Sequence, residues 1–453
     1  MIRMKKITLL SLCLIALGYQ SYGQAKGNIS EVNDSNTPLH LLQPDYPVKY
    51  GAVTTQDVKH TLDKVYQYLD RATPAMLEDK DTHLELANLQ QLDTNSIFKK
   101  GDFRLISYEW GVTYGAMLRV SQVTKDQKYA DYTHRRLELI ATVLPHFRAL
   151  EKEHAGYHSP VHSVFQPHAL DDAGAMCAAM IKAQQSGALK QDIKAITDNY
   201  IDYILHKEYR LKDGTLARNR PQPNTLWLDD LYMSLPALAQ MYQLTGDEHY
   251  IDEAIKQFWL FTDKMFVAEK NLYRHGWVEG MKPHPAFHWA RANGWALLTA
   301  VELLNVLPES HSARAKLLTQ FKKHAEGIAG IQDGTGFWHQ LLDRPDSYLE
   351  TSATAIYAYC IARGINAGWL DKKAYGPMVL QAWNAVDSKV NQEGQVEGTC
   401  VGTGMGFDPA FYYYRPVNKF AAHGYGPVLL AGAEVYALIN DHHYEINDSS
   451  VQF

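Results

Sequence analysis

The amino-acid sequence predicts an all-α protein in which twelve helices pair into six hairpins that close into an (α/α)6 toroid. Apolar residues recur with helical periodicity along most of the 453-residue chain, whereas convincing strand patterns are scarce. Short turns alternate with long loops that carry aromatic residues, proline and glycine. The helices that follow the long loops begin mostly about 60 residues apart, which is typical of a repeat architecture of helical hairpins.

The predicted helices follow a polar leader in chain order. We place them at residues 55–72, 107–124, 127–145, 170–187, 190–207, 229–245, 248–265, 291–307, 312–330, 351–367, 372–388 and 422–440. Short turns at 124–126 and 245–247 join neighbours within a hairpin. Alanine-rich runs such as 296–301 and 353–362 suit inner helices, whereas 312–325 mixes Lys and His with apolar positions, as an outer helix does. An open α-solenoid is the alternative architecture, and six hairpins favour closure.

The first residues have the pattern of a secretory signal peptide, which we place at residues 1–23. A basic start is followed by a short apolar stretch at 7–17 and by small residues at 21–23, where cleavage is expected. The apolar stretch is too short to span a bilayer as a helix, and no other segment is long enough. We therefore expect secretion to the periplasm, a polar N-terminal leader at 24–50 and a single domain at 51–445.

The composition favours a large folded core and argues against several classes of function. Hydrophobic residues make up 46% and charged residues 21%, so disorder is not expected. The net charge is −6 and no basic block occurs, which argues against nucleic acid as a partner. The 28 Tyr, 9 Trp and 14 Phe residues indicate either a tyrosine-rich core or a surface that stacks on sugar rings. No zinc-binding spacing of cysteine or histidine occurs, so we expect neither a metal nor an organic cofactor.

Acidic, basic and aromatic residues collect where the long loops end and the next helices begin. Since these starts belong to the inner helices, we expect their side chains to ring one mouth of the toroid. The residues are Glu109, Trp110, Asp171, Asp172, Asp229, Asp230, Trp289, Arg291, Glu350 and His423, with His275 and Trp277 in the loop before Arg291. The pattern predicts a functional site at that mouth.

Two aspartate doublets, Asp171–Asp172 and Asp229–Asp230, have two interpretations. Aspartate at a helix start is a favoured N-cap and suits the positive end of the helix dipole. Only one residue of each doublet can cap, however, so the other must point elsewhere. Carboxylates that lie close together raise the pKa of one of them, which keeps a proton available for general acid catalysis.

The other candidates at the mouth also have a structural and a functional interpretation. Arg291 is either an ordinary ion-pairing residue or, between Trp289 and Trp295, a group that grips a sugar carboxylate with two nitrogens. His275 is either structural or a hydrogen-bonding partner of a ligand. The aromatic stretch at 411–415 is either a core plug or, as we expect for a loop, a wall or lid of a sugar site.

Six segments, in the same order along the chain, resemble glycoside hydrolase family 105, the unsaturated rhamnogalacturonyl hydrolases and related unsaturated uronyl hydrolases. They are WLDDLYM at 227–233, YRHGW at 273–277, WARANGW at 289–295, TGFW at 335–338 with LETS at 349–352, ARGIN at 362–366 and CVGT at 400–403. The resemblance implies an (α/α)6 toroid, in agreement with the number of predicted helices.

The resemblance also implies a reaction. The family acts on the 4,5-unsaturated uronic acid that polysaccharide lyases leave at the non-reducing end of an oligosaccharide. An aspartate donates a proton to C4 and helps water add at C5, and the resulting hemiketal collapses and releases the sugar. By the positions of the family motifs, Asp229 is the catalytic acid/base and Asp171 the second catalytic aspartate, with Asp172 as the one-residue alternative.

The oligosaccharide substrate is expected to contact other residues of the same motifs and of the mouth. The implied substrate-binding residues are Asp172, Asp230, His275, Trp277, Trp289, Arg291, Trp110, Glu109, Trp338 and His423. The segment 108–110 stands where the family carries a histidine-containing segment, which leaves the identity of the sugar open. The alternatives are an unsaturated glucuronyl hydrolase for ulvan-type or other glucuronides, an ordinary inverting glycosidase, and a non-catalytic helical-repeat protein that binds glycans.

Overall fold

Helices connected by loops with short strand pairs make up the described part of the chain. The computed structural model describes residues 35–37, 51–284, 286–447 and 450–453. The chain divides into a unit at 1–47 and a unit at 48–453. The predicted signal peptide at 1–23 and all but three residues of the predicted leader at 24–50 lie outside the described residues. Across the described residues, no helix combines the length and the apolar character that crossing a membrane requires.

Twelve long helices in the described residues form a closed double ring. In chain order they are α1 (Thr55–Ala72), α2 (Tyr108–Thr124), α3 (Gln127–Glu153), α4 (Leu170–Gln185), α5 (Lys194–Asp202), α6 (Leu235–Thr245), α7 (Glu248–Met265), α8 (Ala290–Val306), α9 (Arg314–Ala329), α10 (Thr351–Asn366), α11 (Lys372–Asp387) and α12 (Tyr425–Asp441). The even-numbered helices form the inner ring, in which each contacts the next and α12 contacts α2. The odd-numbered helices pack outside, and α1 pairs with α12. This closure confirms the predicted (α/α)6 toroid over the open solenoid.

Inner and outer helices differ in burial as the sequence pattern indicated. Every residue of α8 from Ala290 to Leu304 is buried. Small residues permit such packing, because a Cβ atom on Gly174 of α4 would lie 1.8 Å from the backbone oxygen of Met233. Outer α7 instead buries a single apolar stripe, which consists of Ile251, Ala254, Phe258, Phe261 and Met265.

The helix predicted at 229–245 is interrupted in the structure. A separate 3-10 turn, Leu228–Leu231, precedes α6, which begins only at Leu235. Pro236 explains this start, because proline suits the first turn of a helix but not its interior. Asp229 and the residue after it therefore lie in a turn of their own and not at the N-terminus of α6.

Ten short strands form five antiparallel pairs in the loops of the described residues. The pairs are β1 (Leu77–Asp79) with β2 (Ser96–Phe98), β3 (Thr225–Trp227) with β6 (Gly276–Val278), β4 (Phe266–Val267) with β5 (Leu272–Tyr273), β7 (Trp338–His339) with β8 (Leu349–Glu350), and β9 (Glu445–Asn447) with β10 (Ser450–Gln452). The pairing of β3 with β6 joins the loop before α6 to the loop before α8. It therefore brings two of the predicted motifs together.

The buried His324 of α9 is expected to make the stability of the fold sensitive to acid. Its Nε2 lies 3.1 Å from Oδ1 of Asn293, and burial lowers its pKa to about 3 from an ordinary value of 6.5. The folded state therefore excludes a proton that the unfolded chain binds, and stability is lost as pH falls from 6.5 towards 3. Between pH 7 and pH 5 this loss is about 2 kcal/mol, since one pKa unit corresponds to about 1.4 kcal/mol.

Denaturant unfolding of wild type and His324→Gln at both pH values measures this contribution. The glutamine can still donate to Asn293 but does not titrate, so the variant should lose about 2 kcal/mol less on acidification. Exposed His443, replaced by Gln, is the control. Equal acid sensitivity of His324→Gln and wild type would contradict the prediction.

Candidate active site

The pairing of β3 with β6 fixes the position of Asp229. Leu228 donates its backbone N–H to the carbonyl oxygen of His275 at 2.9 Å, which places the turn after β3 directly beside that histidine. The Nε2 atom of His275 lies 3.0 Å from Oδ2 of Asp229. The Asp229 side chain is 14% exposed whereas His275 is fully buried. A ligand in the mouth can therefore reach the carboxylate but not the imidazole behind it.

Arg218, from the long loop before β3, holds two of the predicted acids together. Its Nε lies 3.0 Å from Oδ2 of Asp230 and its Nη2 2.6 Å from Oδ1, which is a bidentate contact. Its Nη1 lies 3.1 Å from Oδ2 of Asp171. The guanidinium carbon also lies 4.1 Å from the ring centroid of Trp227. The two aspartate doublets do converge, but a cation that the sequence analysis missed stands between them.

The pKa shifts of the acids differ from the expectation for Asp229. Burial raises the pKa of Asp230, with repulsion from Asp171 and Asp229 adding to burial and the ion pair with Arg218 opposing it. Burial also acts to raise the pKa of Asp229, but the hydrogen bond from His275 and the charge of Arg218 outweigh it and lower that pKa below its usual value. The raised pKa therefore belongs to Asp230, which is fully buried, and not to Asp229.

The two aspartates of the first doublet, Asp171 and Asp172, make different contacts. Oδ2 of Asp172 accepts the backbone N–H of His168 at 2.9 Å, so this carboxylate turns back to the chain that enters α4. Asp171 instead faces Arg218. The geometry thus brings Asp171 to the acid cluster and gives Asp172 a local structural contact. The Asp172 side chain is still 20% exposed, so its substrate contact stays a prediction.

Arg291 forms hydrogen bonds with the backbone of the loop that begins at Cys400. Its Nη1 donates to the carbonyl oxygen of Cys400 at 2.7 Å and its Nη2 to that of Val401 at 2.7 Å. Its Nη1 also lies 3.8 Å from Oε1 of Glu350, a buried carboxylate that caps α10 by accepting the N–H of Ala353. Only Nε has no partner among the described residues. The bidentate carboxylate grip predicted for Arg291 is therefore wrong for this structure, because both terminal nitrogens hold the loop.

The loop held by Arg291 lies directly on the strand pair β3–β6. A Cβ atom on Gly404 would lie 3.1 Å from the indole of Trp227, and a Cβ atom on Gly276 would lie 2.0 Å from Sδ of Met405. Because Gly404 and Gly276 lack side chains, the loop and the strand pair can approach each other closely. The loop therefore packs against both strands of the pair that positions Asp229 and His275.

Glu109 and His423 meet on another part of the rim. Oε1 of Glu109 lies 3.5 Å from Nε2 of His423, and the hydroxyl of Tyr108 lies 2.5 Å from the same nitrogen. Burial, with the charge of Arg291 adding to it, holds the pKa of His423 well below its usual value, so the ring is neutral. The starts of α2 and α12 therefore contribute neighbouring polar groups, as the sequence predicted.

The predicted tryptophans divide between the core and the site. Trp110 and Trp338 are fully buried, and their indole N–H groups donate to the hydroxyl of Tyr132 and to the carbonyl oxygen of Ile328. Their predicted substrate contacts are wrong in this structure, because both indoles are core groups. Trp289 packs against His275, with a ring-centroid distance of 4.7 Å. Trp277 is half-buried and stacks on His284.

Tyr412 is a second residue that the sequence analysis did not single out. It is fully buried, and its hydroxyl lies 2.7 Å from Nδ1 of His275. Its neighbour Tyr414 is 84% exposed. The aromatic stretch at 411–415 therefore contains both a buried and an exposed tyrosine. The buried one, Tyr412, contacts the histidine that contacts Asp229.

The closed toroid with acids and aromatic residues at one mouth defines an α/α-toroid protein of the glycoside hydrolase class. The chain belongs to Glycosyl Hydrolase Family 88, whose family model matches residues 68–439. This match confirms the resemblance to unsaturated uronyl hydrolases that the sequence motifs indicated.

Similar proteins support the same assignment. An unsaturated 3S-rhamnoglycuronyl hydrolase of Alteromonas is 31% identical over 215 residues, which are 46% of this chain and 50% of that protein. An unsaturated rhamnogalacturonyl hydrolase of Bacillus subtilis is 29% identical over 240 residues, 52% of this chain and 68% of that protein. A solved structure of a possible GH105 family member from Salmonella enterica has a TM-score of 0.66 at 23% identity and covers 90% of this chain and 98% of the other. The match to the Alteromonas protein thus spans half of its length, and the solved structure shares the fold.

Arg218 is expected to be essential for the stability of the acid cluster. Arg218→Gln leaves Asp230 and Asp171 without their shared cation, which should lower the free energy of unfolding by roughly 3–5 kcal/mol, as loss of one partner of a buried ion pair does. Guanidinium chloride unfolding measures the change. Exposed Arg71, replaced by Gln, should shift it by no more than about 0.5 kcal/mol.

A second substitution distinguishes lost charge compensation from lost packing. Adding Asp230→Asn to Arg218→Gln removes the uncompensated buried charge, so the double variant should be more stable than Arg218→Gln alone. If Arg218→Gln were as stable as Arg71→Gln, the bridging role would be refuted.

Proposed function

We propose that the chain is an unsaturated uronyl hydrolase that acts on the 4,5-unsaturated uronic acid at the non-reducing end of lyase-generated oligosaccharides. The observation that carries the proposal is the Asp229 carboxylate, which is 14% exposed, is held by His275 and is adjacent to the acid pair that Arg218 bridges. The relatives named as unsaturated rhamnoglycuronyl and rhamnogalacturonyl hydrolases support this substrate class.

In the proposed reaction, Asp229 serves as acid and then as base. It donates a proton to C4 of the C4=C5 double bond, which leaves positive charge at C5 that the ring oxygen stabilises. A water molecule adds to C5 and returns a proton to the Asp229 carboxylate. The hemiketal so formed opens to a ketone at C5, and the hemiacetal at C1 then releases the neighbouring sugar. Asp229 ends the cycle protonated, and the sum is the addition of one water molecule.

The other acids have supporting roles in this proposal. Asp171 has 33% of its side chain exposed and serves as the second catalytic aspartate by binding substrate. Asp230 is fully buried and acts as the anchor of Arg218. Arg218 places a positive charge beside Asp171 and Asp230. With the larger effect of His275 it also lowers the pKa of Asp229, which favours the carboxylate form that acts as the base over the protonated form that acts as the acid.

Loss of ultraviolet absorbance on lyase-generated disaccharides tests the activity, since hydration removes the conjugated double bond. Unsaturated galacturonyl substrates from pectin lyases and glucuronyl substrates from ulvan and glycosaminoglycan lyases form the panel, and we expect turnover of at least one. Binding without turnover would favour the glycan-binding alternative. Cleavage of saturated glycosides only would favour the ordinary inverting glycosidase.

Asp229→Asn is expected to lower kcat by roughly 10²–10⁴-fold, which is the usual contribution of a general acid or base. The same carboxylate-to-amide change at Asp252, on the exposed surface of α7, is the matched control and should have no effect. Circular dichroism establishes that both variants fold. A folded and fully active Asp229→Asn enzyme would assign the acid to another residue.

We also propose that the chain is exported to the periplasm, on the basis of the signal-peptide pattern at residues 1–23. Expressed in its full length in a bacterium, the mature protein should be found in the periplasmic fraction. N-terminal sequencing should begin near Gln24. Retention of the intact N-terminus in the cytoplasm would refute the proposal.

A further inference from the structure

The Tyr412 hydroxyl takes part in a chain of hydrogen bonds that ends on Asp229. Tyr412 belongs to the short helix Pro409–Tyr413, in which Asp408 caps the first turn by accepting the N–H of Phe411. Its hydroxyl lies 2.7 Å from Nδ1 of His275, and Nε2 of His275 lies 3.0 Å from Oδ2 of Asp229. The late loop thus reaches the proposed acid through a single histidine.

The direction of these hydrogen bonds follows from a backbone group. The N–H of Gly406 lies 3.0 Å from the Tyr412 oxygen, and a backbone N–H can only donate. The tyrosine oxygen therefore accepts from Gly406, and its own proton is left to donate. The two acceptors in reach are Nδ1 of His275 at 2.7 Å and the carbonyl oxygen of Gly406 at 3.4 Å. Nε2 of His275 faces the Asp229 carboxylate, which can only accept, so in a neutral imidazole Nδ1 is the acceptor and Tyr412 donates to it.

A histidine that accepts at Nδ1 in its neutral form carries its proton on Nε2. That proton points at Oδ2 of Asp229. The opposite tautomer would leave Nε2 facing the carboxylate with a lone pair, and it would force the Tyr412 hydroxyl to turn from Nδ1 to the more distant carbonyl oxygen of Gly406. The Tyr412 hydroxyl therefore favours the tautomer in which a protonated Nε2 meets the acid.

Packing keeps both rings in this arrangement. His275 is fully buried and its ring lies 4.7 Å from that of Trp289, between centroids. Tyr412 packs against Phe287 at 5.1 Å and Phe411 at 5.1 Å. Both rings are therefore held by packing as well as by their hydrogen bonds.

We propose that Tyr412 is a positioning residue, which fixes the Nε2–H tautomer of His275 and, through it, holds the Asp229 carboxylate in place for proton transfer. The proposal rests on the proposed function, in which Asp229 is the acid. The same arrangement, in which a hydrogen bond at one imidazole nitrogen sets the state of the other, governs histidines in metal sites and catalytic triads.

Tyr412→Phe tests the proposal, because it removes the hydroxyl and keeps the ring. We expect kcat to fall roughly 10- to 100-fold, as for other groups that orient a functional histidine, with KM nearly unchanged because buried Tyr412 does not touch substrate. Tyr129→Phe is the matched control. It also loses a buried hydroxyl contact, at 2.7 Å from Asp63 between α3 and α1, and should leave kcat unchanged.

The pH profile distinguishes positioning from a structural role. Asp229 must be protonated to donate, so kcat/KM falls as pH rises through its pKa, which the His275 hydrogen bond lowers. Loss of the Nε2–H donor should therefore move this descending limb to higher pH in Tyr412→Phe. The other charges that act on these groups are Arg218, Arg291 and Asp230 near Asp229 and Asp408 near Tyr412, and the substitution leaves them in place. An unchanged limb with unchanged kcat would overturn the proposal.

A measurement that needs no substrate separates this proposal from the proposed function. In ¹⁵N-histidine-labelled protein, the signal lost in His275→Gln identifies His275. Its shifts should show an unprotonated Nδ1 and a protonated Nε2, and Tyr412→Phe should convert them to a mixture of tautomers. A protonated Nδ1 in wild type, or no change in Tyr412→Phe, would refute the role of Tyr412 even in an active enzyme. If the shifts are as expected but the protein hydrates no unsaturated uronide, the proposed function is refuted and the role of Tyr412 in fixing the tautomer is not.

Discussion

The site depends on one guanidinium that neutralises two carboxylates from successive inner helical segments. Asp230 is fully buried, and a carboxylate in that position requires a hydrogen-bonded cation. Arg218 supplies it and at the same time reaches Asp171 at the start of α4. Because Asp229 is the neighbour of Asp230 in a single 3-10 turn, fixing one fixes the other. The position of the proposed acid therefore depends on the ion pair between Arg218 and the fully buried Asp230.

The helices and the family could be predicted from the sequence because burial on a ring imposes a regular pattern. Each inner helix must be apolar or small on nearly all sides, and α8 shows this over its whole buried length. The convergence of the two doublets followed from the same regularity. The role of each aspartate could not be predicted in this way, because the helix break before Pro236 and the hydrogen bond of Asp172 to His168 are local features that the repeat pattern does not show.

The residues whose contacts could not be predicted from the sequence either lie in loops or depend on the rotation of a helix about its axis. Arg218 and Tyr412 stand in segments without periodicity, and their partners are set by strand pairing and by a loop that crosses the mouth. Trp110 shows the second case, because it lies within the first turn of α2, where one residue corresponds to a rotation of about 100°. That rotation turns its indole to Tyr132 in the core and leaves Glu109 at the rim. Sequence position alone could not distinguish the two.

The pairing of α1 with α12 has a consequence for how the molecule forms. Helices at opposite ends of the domain make contacts of very long sequence separation, and α12 must also join α2 to complete the inner ring. Such non-local contacts form slowly, because the entropy of closing the loop opposes them until the neighbours are in place. During synthesis, the apolar flank of α2 therefore stays uncovered until the last helix has left the ribosome. The folding intermediate at greatest risk of aggregation is a five-hairpin arc, and closure of the ring ends that risk.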